Sequence, residues 1–237
     1  MHQVVAVLPV YNPNDSFEEE IGQLHAIEFA QLIIVNDGSV AKYSALFESL
    51  QRRPNVIVLT HEKKLGKTAA VKTAISYIQR YLQRCKGVLF IGAYGQHKLY
   101  DVEQILHLAR IYNDGIMLGV RSFQSRELPP FSRLGNLFVT LSFEFKCKTR
   151  ITDVQTGLRY ISMPHLSWIA RIDGDQFDID VYMLMEAVKR GVPLYEVYIG
   201  KASIKKNTFI QYDETFRFHH VGKKIWHYRY LDERNLF

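Results

Sequence analysis

The chain has 237 residues and 27.6 kDa, 47% of them hydrophobic and 23% charged, which excludes disorder, collagen and coiled coil and allows one large α/β domain. The formal charge of +6 favours anionic partners without choosing among phosphates, nucleic acid and acidic lipid. The two cysteines, Cys85 and Cys147, provide neither a disulfide framework nor a cysteine zinc site, and fit a reducing compartment.

The elements follow in chain order. Val4 to Val10 is a short apolar run with Pro9 and no basic leader, so it reads as a first strand rather than a signal peptide. Asn14, Asp15 and Ser16 offer caps for a helix to about Ile27. Leu32 to Val35 is a second buried strand, closed by Asn36-Asp37-Gly38-Ser39 and followed by a helix to about Leu50. Val56 to Leu59 is a third strand. Lys67 to Arg84 is a helix, with Ala70, Val71, Ala74, Ile75, Ile78 and Leu82 at helical spacing. Val88 to Ile91 is a strand, Asp101 to Ile111 a helix, and Gly115 to Val120 a fifth strand. Such alternation predicts an α/β fold with a mostly parallel sheet and right-handed crossovers.

The pattern changes after Val120. Residues 121–135 read as a long loop, and Asn136 to Lys146 as a helix. Thr152 to Tyr160 is a polar stretch with Gly157. Ile179 to Arg190 is amphipathic and leads to a strand over Leu194 to Ile199. No run of about 18 apolar residues marks a membrane span. One domain over 1–200 is expected, with an extension over 201–237 that is part of the same unit or membrane-associating.

In open parallel sheets ligands bind beyond the carboxyl ends of the strands. Pro9-Val10-Tyr11-Asn12, Asn36-Asp37-Gly38-Ser39, Gly66-Lys67 and Gly92 to His97 fall there. Asp37 either accepts hydrogen bonds from a ribose or base, or caps the next helix. Leu65-Gly66-Lys67-Thr68 looks like the end of a phosphate loop, but His61 stands where that loop needs glycine. Gly66-Lys67 is left as a helix start that meets phosphate through backbone N–H groups and the Lys67 charge, or one that is simply solvated. No G-x-G-x-x-G occurs.

Leu8-Pro9-Val10-Tyr11-Asn12, Val35-Asn36-Asp37-Gly38-Ser39 and Gly66-Lys67-Thr68-Ala69-Ala70 are joined downstream by Gly95-Gln96-His97, Gly119-Val120-Arg121-Ser122-Phe123 and Arg133-Leu134-Gly135-Asn136. Thr152-Asp153-Val154-Gln155-Thr156-Gly157-Leu158-Arg159 and Gly191 to Val197 complete the series. In this order the segments resemble family-2 glycosyltransferases of the GT-A fold, nearest the dolichyl- and polyprenyl-phosphate sugar synthases. The resemblance implies inverting transfer of a hexose from a UDP- or GDP-linked sugar to a polyprenyl phosphate, in cell-surface glycan or cell-wall polysaccharide synthesis. It implies a cytoplasmic protein, peripheral at the inner membrane face. Pro9, Tyr11, Asn12, Asp37, Gly66, Lys67 and Ala93 would bind the donor nucleotide. Arg121, Arg133, Asp153 and Gln155 would be catalytic, and Arg159 would meet the acceptor phosphate.

The sequence departs from this family at one motif. The family carries Asp-x-Asp-Gly-Gln-His, whose carboxylates hold Mg²⁺ or Mn²⁺ against the diphosphate. Here the stretch reads Gly92-Ala93-Tyr94-Gly95-Gln96-His97, followed by Lys98 where another Asp is frequent. A hard divalent cation needs several oxygens, usually with carboxylates. Gln96 is a residual ligand at most, and Gln96 with His97 makes no site for a softer metal. Cationic side chains are then left to neutralise the leaving diphosphate. Lys67, Arg121, Arg133 and Arg159 stand at matching positions, although Arg121 and Arg133 also suit a solvated loop. Asp178 and Asp180 read as helix N-terminal charges, or as groups that orient a sugar hydroxyl.

Residues 201–237 hold eight Lys and Arg against four Asp and Glu, with eight aromatics interleaved. That composition suits a membrane interface, a segment packed on the core, or an oligomer contact. Nothing else in the chain supports nucleic-acid binding. The competing function is a non-catalytic homologue, without the metal carboxylates, that regulates or assembles with a partner glycosyltransferase.

Overall fold

The computed structural model describes residues 3–92, 97–122, 130–174, 179–201 and 214–228. Strands β1 (Val4–Val10), β2 (Gln31–Asn36), β3 (Val56–Thr60), β4 (Gly87–Phe90), β5 (Ile116–Ser122), β6 (Arg159–Ser162) and β7 (Leu194–Lys201) form one seven-stranded sheet. Their spatial order is β3-β2-β1-β4-β6-β5-β7. Pairs β1–β2, β1–β4, β2–β3 and β5–β7 are parallel, and only β6 runs against its neighbours. This is the mostly parallel sheet expected.

The helices are α1 (Phe17–His25), α2 (Ser44–Gln51), α3 (Lys67–Tyr81), α4 (Leu99–Ile111), α5 (Pro130–Cys147), α6 (Leu166–Ile169), α7 (Ile179–Lys189) and α8 (Glu214–His227). Strand β1 is buried on both faces, which is why its sequence is a continuous apolar run. Val5 and Val7 pack with Ala70, Val71, Ala74, Ile75 and Ile78 of α3, in a core that also takes in α5, α6, α7 and α8. Val4, Ala6, Leu8 and Val10 pack against α1, α2 and α4. Three layers result, with the sheet in the middle.

Three segments differ from the sequence reading. Strand β6 was not foreseen; it has four residues and begins with a charge, too short for a period-2 signal. Helix α5 starts at Pro130, inside the expected loop; proline is at home in a first turn, where its missing N–H costs nothing. Helix α8 lies in the expected extension. Its Val221 and Ile225 are buried in the shared core, and Tyr228 stacks on Tyr182 with ring centroids 4.1 Å apart. The Tyr228 hydroxyl donates to the buried Glu186 at 3.0 Å. The second half of α8 thus packs on the same core as the sheet.

The strand order reverses at β1: β2 and β3 lie to one side of it, and the parallel β4 to the other. The crevice at their carboxyl ends is where open α/β sheets take ligands. Antiparallel β6 pairs Arg159 with Phe90. It therefore delivers the preceding loop, residues 152–158, to that same edge.

Gly38 shows how closely the loops of this edge approach. Its φ is +69°, and a Cβ there would lie 2.2 Å from the Lys63 carbonyl carbon. Gly38→Ala is therefore expected to destabilise the fold by about 2 kcal/mol or more. The measurement is the urea midpoint against wild type, and an unchanged midpoint refutes this packing.

Candidate functional site

The site begins with three loops that hold one another. Asn12, at φ 49°, donates its N–H to Ser39 Oγ at 2.9 Å and accepts the Val40 N–H on its side-chain oxygen at 3.0 Å. Tyr11 lies under the Lys64 ammonium, 4.4 Å from the ring centre. Asp37 is buried and accepts from the backbone N–H groups of Leu65 and Gly66, each at 2.8 Å. His61 Nδ1 donates to the same carboxylate at 2.8 Å, and its Nε2 meets Thr73 Oγ1 at 2.9 Å. The ends of β1, β2 and β3 thereby form one wall, built around a carboxylate whose desolvation is met by donors.

Two expectations change here. Asp37 does not cap the following helix, whose first turn has no side-chain cap; its neighbour Asn36 accepts the Ser39 N–H within the turn, at 3.0 Å. Gly66 does not offer its N–H to a phosphate, because Asp37 already receives it. His61, which breaks the phosphate-loop pattern, is a side-chain partner of Asp37. Its place just beyond β3 was the available signal. Pro9 pairs with Val35 at the end of β1, half-buried at the base of this wall.

The second wall is a cluster of ion pairs. Lys67, the first residue of α3, donates to Asp180 at the start of α7. Arg121, where the register of β5 on β7 slips, grips Asp153 through Nε at 2.7 Å and Nη2 at 3.1 Å. Asp153 is 0% exposed, so without that guanidinium it would be an unpaired buried charge. The loop holding it is pinned from several sides. Thr152 donates its N–H and hydroxyl to Glu196, each at 2.7 Å. Asn136 and Thr140 of α5 donate to the Thr152 carbonyl at 3.0 and 3.3 Å. Gln155 is half-buried on the same loop.

Arg159 departs from its expected role. It is 1% exposed and donates to the backbone carbonyls of Thr156, Val154 and Asp180. Its Nη1 also stands 3.7 Å from an Asp180 carboxylate oxygen. Burial lowers its pKa first, and the Asp180 carboxylate opposes that shift. Arg159 therefore ties the 152–158 loop to α7 rather than presenting charge to an acceptor phosphate. Asp180 accordingly acts as more than a helix-end charge, since it bridges Lys67 and Arg159. Arg133, in the early turns of α5, has a buried Nε without a partner among the described residues.

His97 sits beside the second wall. A Cβ on Gly157 would meet Gly92 Cα at 3.3 Å and His97 Nε2 at 3.5 Å, so the two glycines leave room for the ring. Neither ring nitrogen has a hydrogen-bond partner among the described residues. Burial pushes its pKa down to about 4; Arg121 and Lys67 add to the shift and Asp153 opposes it. That Lys67, Arg121 and Asp153 all act on one ring brings the sequence-predicted cations together. Ala93, Tyr94, Gln96 and Asp178 lie outside the described residues.

The described side chains of this edge do not fit a divalent cation. No group of three His, Cys, Asp or Glu side chains able to share a metal stands among the described residues. Asp153 and Asp180, which lie at this edge, are engaged by Arg121 and by Lys67 and Arg159. Gly92 brings no ligand.

The sequence profile of Glycosyl transferase family 2 matches residues 5–171. Two uncharacterized proteins of Methanocaldococcus jannaschii are similar. MJ0544 is 21% identical over 97% of this chain and 100% of its own length. MJ1222 is 26% identical over 83% of this chain and 80% of its own. Among solved structures, glucosyl-3-phosphoglycerate synthase from Mycobacterium tuberculosis in complex with UDP has TM-score 0.69 at 12% identity. It covers 97% of this chain and 81% of that one. The same synthase in complex with Mn²⁺, UDP-glucose and phosphoglyceric acid gives TM-score 0.69 at 12% identity. At such identity the likeness speaks for the fold, GT-A.

His97 yields a pH prediction. Below 6.5 the unfolded ring takes up a proton, while the folded ring stays neutral to about 4. Stability is therefore full above that window and falls as the solution is acidified through it, by up to about 3 kcal/mol. Urea midpoints at about pH 7 and about pH 5 measure this slope. His97→Asn should flatten it; an identical acid slope in the variant refutes the assignment.

Proposed function

Since the chain belongs to glycosyltransferase family 2, we propose that it transfers a hexose from a UDP- or GDP-linked sugar to a polyprenyl-phosphate-type acceptor, with inversion and without a bound divalent cation. The role is in cell-surface glycan synthesis, peripheral at the inner face of the membrane. The observation that carries this reading is the convergence of Lys67 and Arg121 beside a neutral His97, at the edge where the sheet takes its ligand.

The acceptor needs little activation. A phosphate monoester has a second pKa of about 6 and is largely ionised at neutral pH, so its oxygen is already a nucleophile. That oxygen attacks the anomeric carbon from the face opposite the leaving group. The bond from that carbon to the diphosphate breaks, and the diphosphate departs with the electron pair. Its charge has to be met by fixed cations in a site that excludes water. Lys67 and Arg121 serve this purpose, and Arg133 meets the acceptor phosphate in place of the enclosed Arg159. Asp153 and Asp180 position the cations instead of touching the sugar. Three cations, Lys67, Arg121 and Arg159, face these two carboxylates, so the cluster keeps a positive surplus. Gln155 is left to hold a sugar hydroxyl. The nucleoside lies on the wall of Tyr11, Asn12 and Asp37.

The non-catalytic reading is favoured by a different observation: Lys67 and Arg121 are each paired already with a buried carboxylate. In that reading the pairs serve only stability, and the protein accompanies an active partner transferase. Calorimetric titration with UDP and with GDP, each in Mn²⁺ and in EDTA, separates the two. Binding of one nucleotide that survives EDTA is the outcome expected of the transferase. Lys67→Ala and Arg121→Ala should each lower sugar turnover by about ten- to a hundredfold. No binding of either nucleotide in either buffer would support the companion instead.

A further inference from the structure

A surface helix usually turns a polar face to solvent. Helix α5 does not. Val139, Phe143 and Cys147 pack into the core, while Leu134, Leu137, Phe138, Leu141 and Phe145 stand between 48% and 64% exposed. At 3.6 residues per turn these five side chains fall within roughly one third of the helix circumference, as one outward stripe. Trp226 of α8 widens it: the indole is 49% exposed, and its ring centroid lies 5.3 Å from that of Phe145. A contiguous stripe of this kind marks an interaction surface.

The surroundings say what kind. Lys146, Lys148 and Arg150 lie at the end of α5 and just beyond it, and Lys223 and Lys224 lie on α8. Lys148 Nζ sits 4.7 Å over the Phe145 ring. The carboxylate among the described side chains of these two helices is Glu144. Large apolar side chains beside lysines suit the boundary between acyl chains and anionic headgroups, where rings and alkyl stems are buried and ammonium groups meet phosphate. A second copy of the chain seated two-fold on this stripe would set its own lysines against these, like charge on like.

We propose that the outward face of α5, with Trp226, is the surface by which the protein lies on a bilayer containing anionic lipid. This deepens the reading above and rests on it, since a polyprenyl-phosphate acceptor is itself a membrane lipid. It also moves the contact away from the C-terminal extension, where the composition had suggested it: Val221 and Ile225 of α8 face the core, and α5 supplies most of the apolar stripe. The same helix reaches the site. Asn136 and Thr140 bond the Thr152 carbonyl, next to the Asp153 that holds Arg121. One helix thus faces lipid on one side and the reacting edge on the other.

The test is co-sedimentation of the full chain with phosphatidylcholine vesicles, with and without phosphatidylglycerol, beside sedimentation velocity in vesicle-free buffer. Wild type is expected to bind the anionic vesicles. A Leu137→Glu, Leu141→Glu double variant should lose about tenfold or more in binding, with an unchanged unfolding midpoint. Lys148→Glu with Lys223→Glu, which leaves the stripe intact, should remove the preference for phosphatidylglycerol. Wild type left in the supernatant with both vesicles overturns the proposal, as does equal binding by the leucine variant. A dimer in vesicle-free buffer that the leucine variant dissociates also overturns it, by assigning the stripe to a second copy. Vesicle binding without sugar transfer to polyprenyl phosphate would refute the acceptor and leave this surface standing.

Discussion

A carboxylate that leaves water must be met by donors, and the carboxyl edge of this sheet is arranged around that requirement. Asp37, Asp153 and Asp180 are all buried there. Their donors come from distant parts of the chain: Leu65, Gly66 and His61 for Asp37, Arg121 for Asp153, Lys67 and Arg159 for Asp180. Each pairing joins two or more loops that are far apart in sequence. The loops hold their shape because leaving any one of these charges unpaired is costly.

The same pairings decide the electrostatics of the pocket. In glycosyltransferases that use a metal, carboxylates are the ligands and the ion supplies positive charge. Here Asp153 and Asp180 are spent on holding cations still. Guanidinium and ammonium groups fixed in this way lose little entropy on meeting an anion, which is what the proposed transfer asks of them. His97, kept neutral by burial and by Arg121 and Lys67, adds no charge of its own. The cations fixed at this edge are Lys67 of α3 and Arg121 of β5.

Helix α5 links that edge to the surface. Its polar side chains Asn136 and Thr140 turn inward to the 152–158 loop, and its leucines and phenylalanines turn outward. The packing of α8 contributes to this. Gly222 lets the two helices approach: a Cβ there would fall 2.2 Å from the Phe138 ring. With α8 docked against one edge of the stripe, at Phe138 and Phe145, those rings stay about half exposed and Leu134, Leu137 and Leu141 stand outward beside them.

The alternation of apolar runs and amphipathic segments determined the α/β class, the strands β1 to β5 and β7, and helices α1 to α5 and α7 but not the four-residue α6, because burial on both faces writes an unbroken apolar run. The loops at strand ends could be read as a site for the same reason, since topology puts ligands there. The ordered motifs identified the family. Only the tertiary structure decided what the charges do. The family resemblance put Arg159 at the acceptor phosphate because it stands at a matching motif position; burial and three carbonyls make it a brace. Asp180 sits 113 positions from Lys67, and no local pattern reports a pairing at that distance. Strand β6 was hidden in the same way, since four residues carry no period of their own. Helix α8 does carry a helical period, Val221, Ile225 and Tyr228 on one face, but its basic and aromatic composition also suited a membrane interface, and only the packing decided between them.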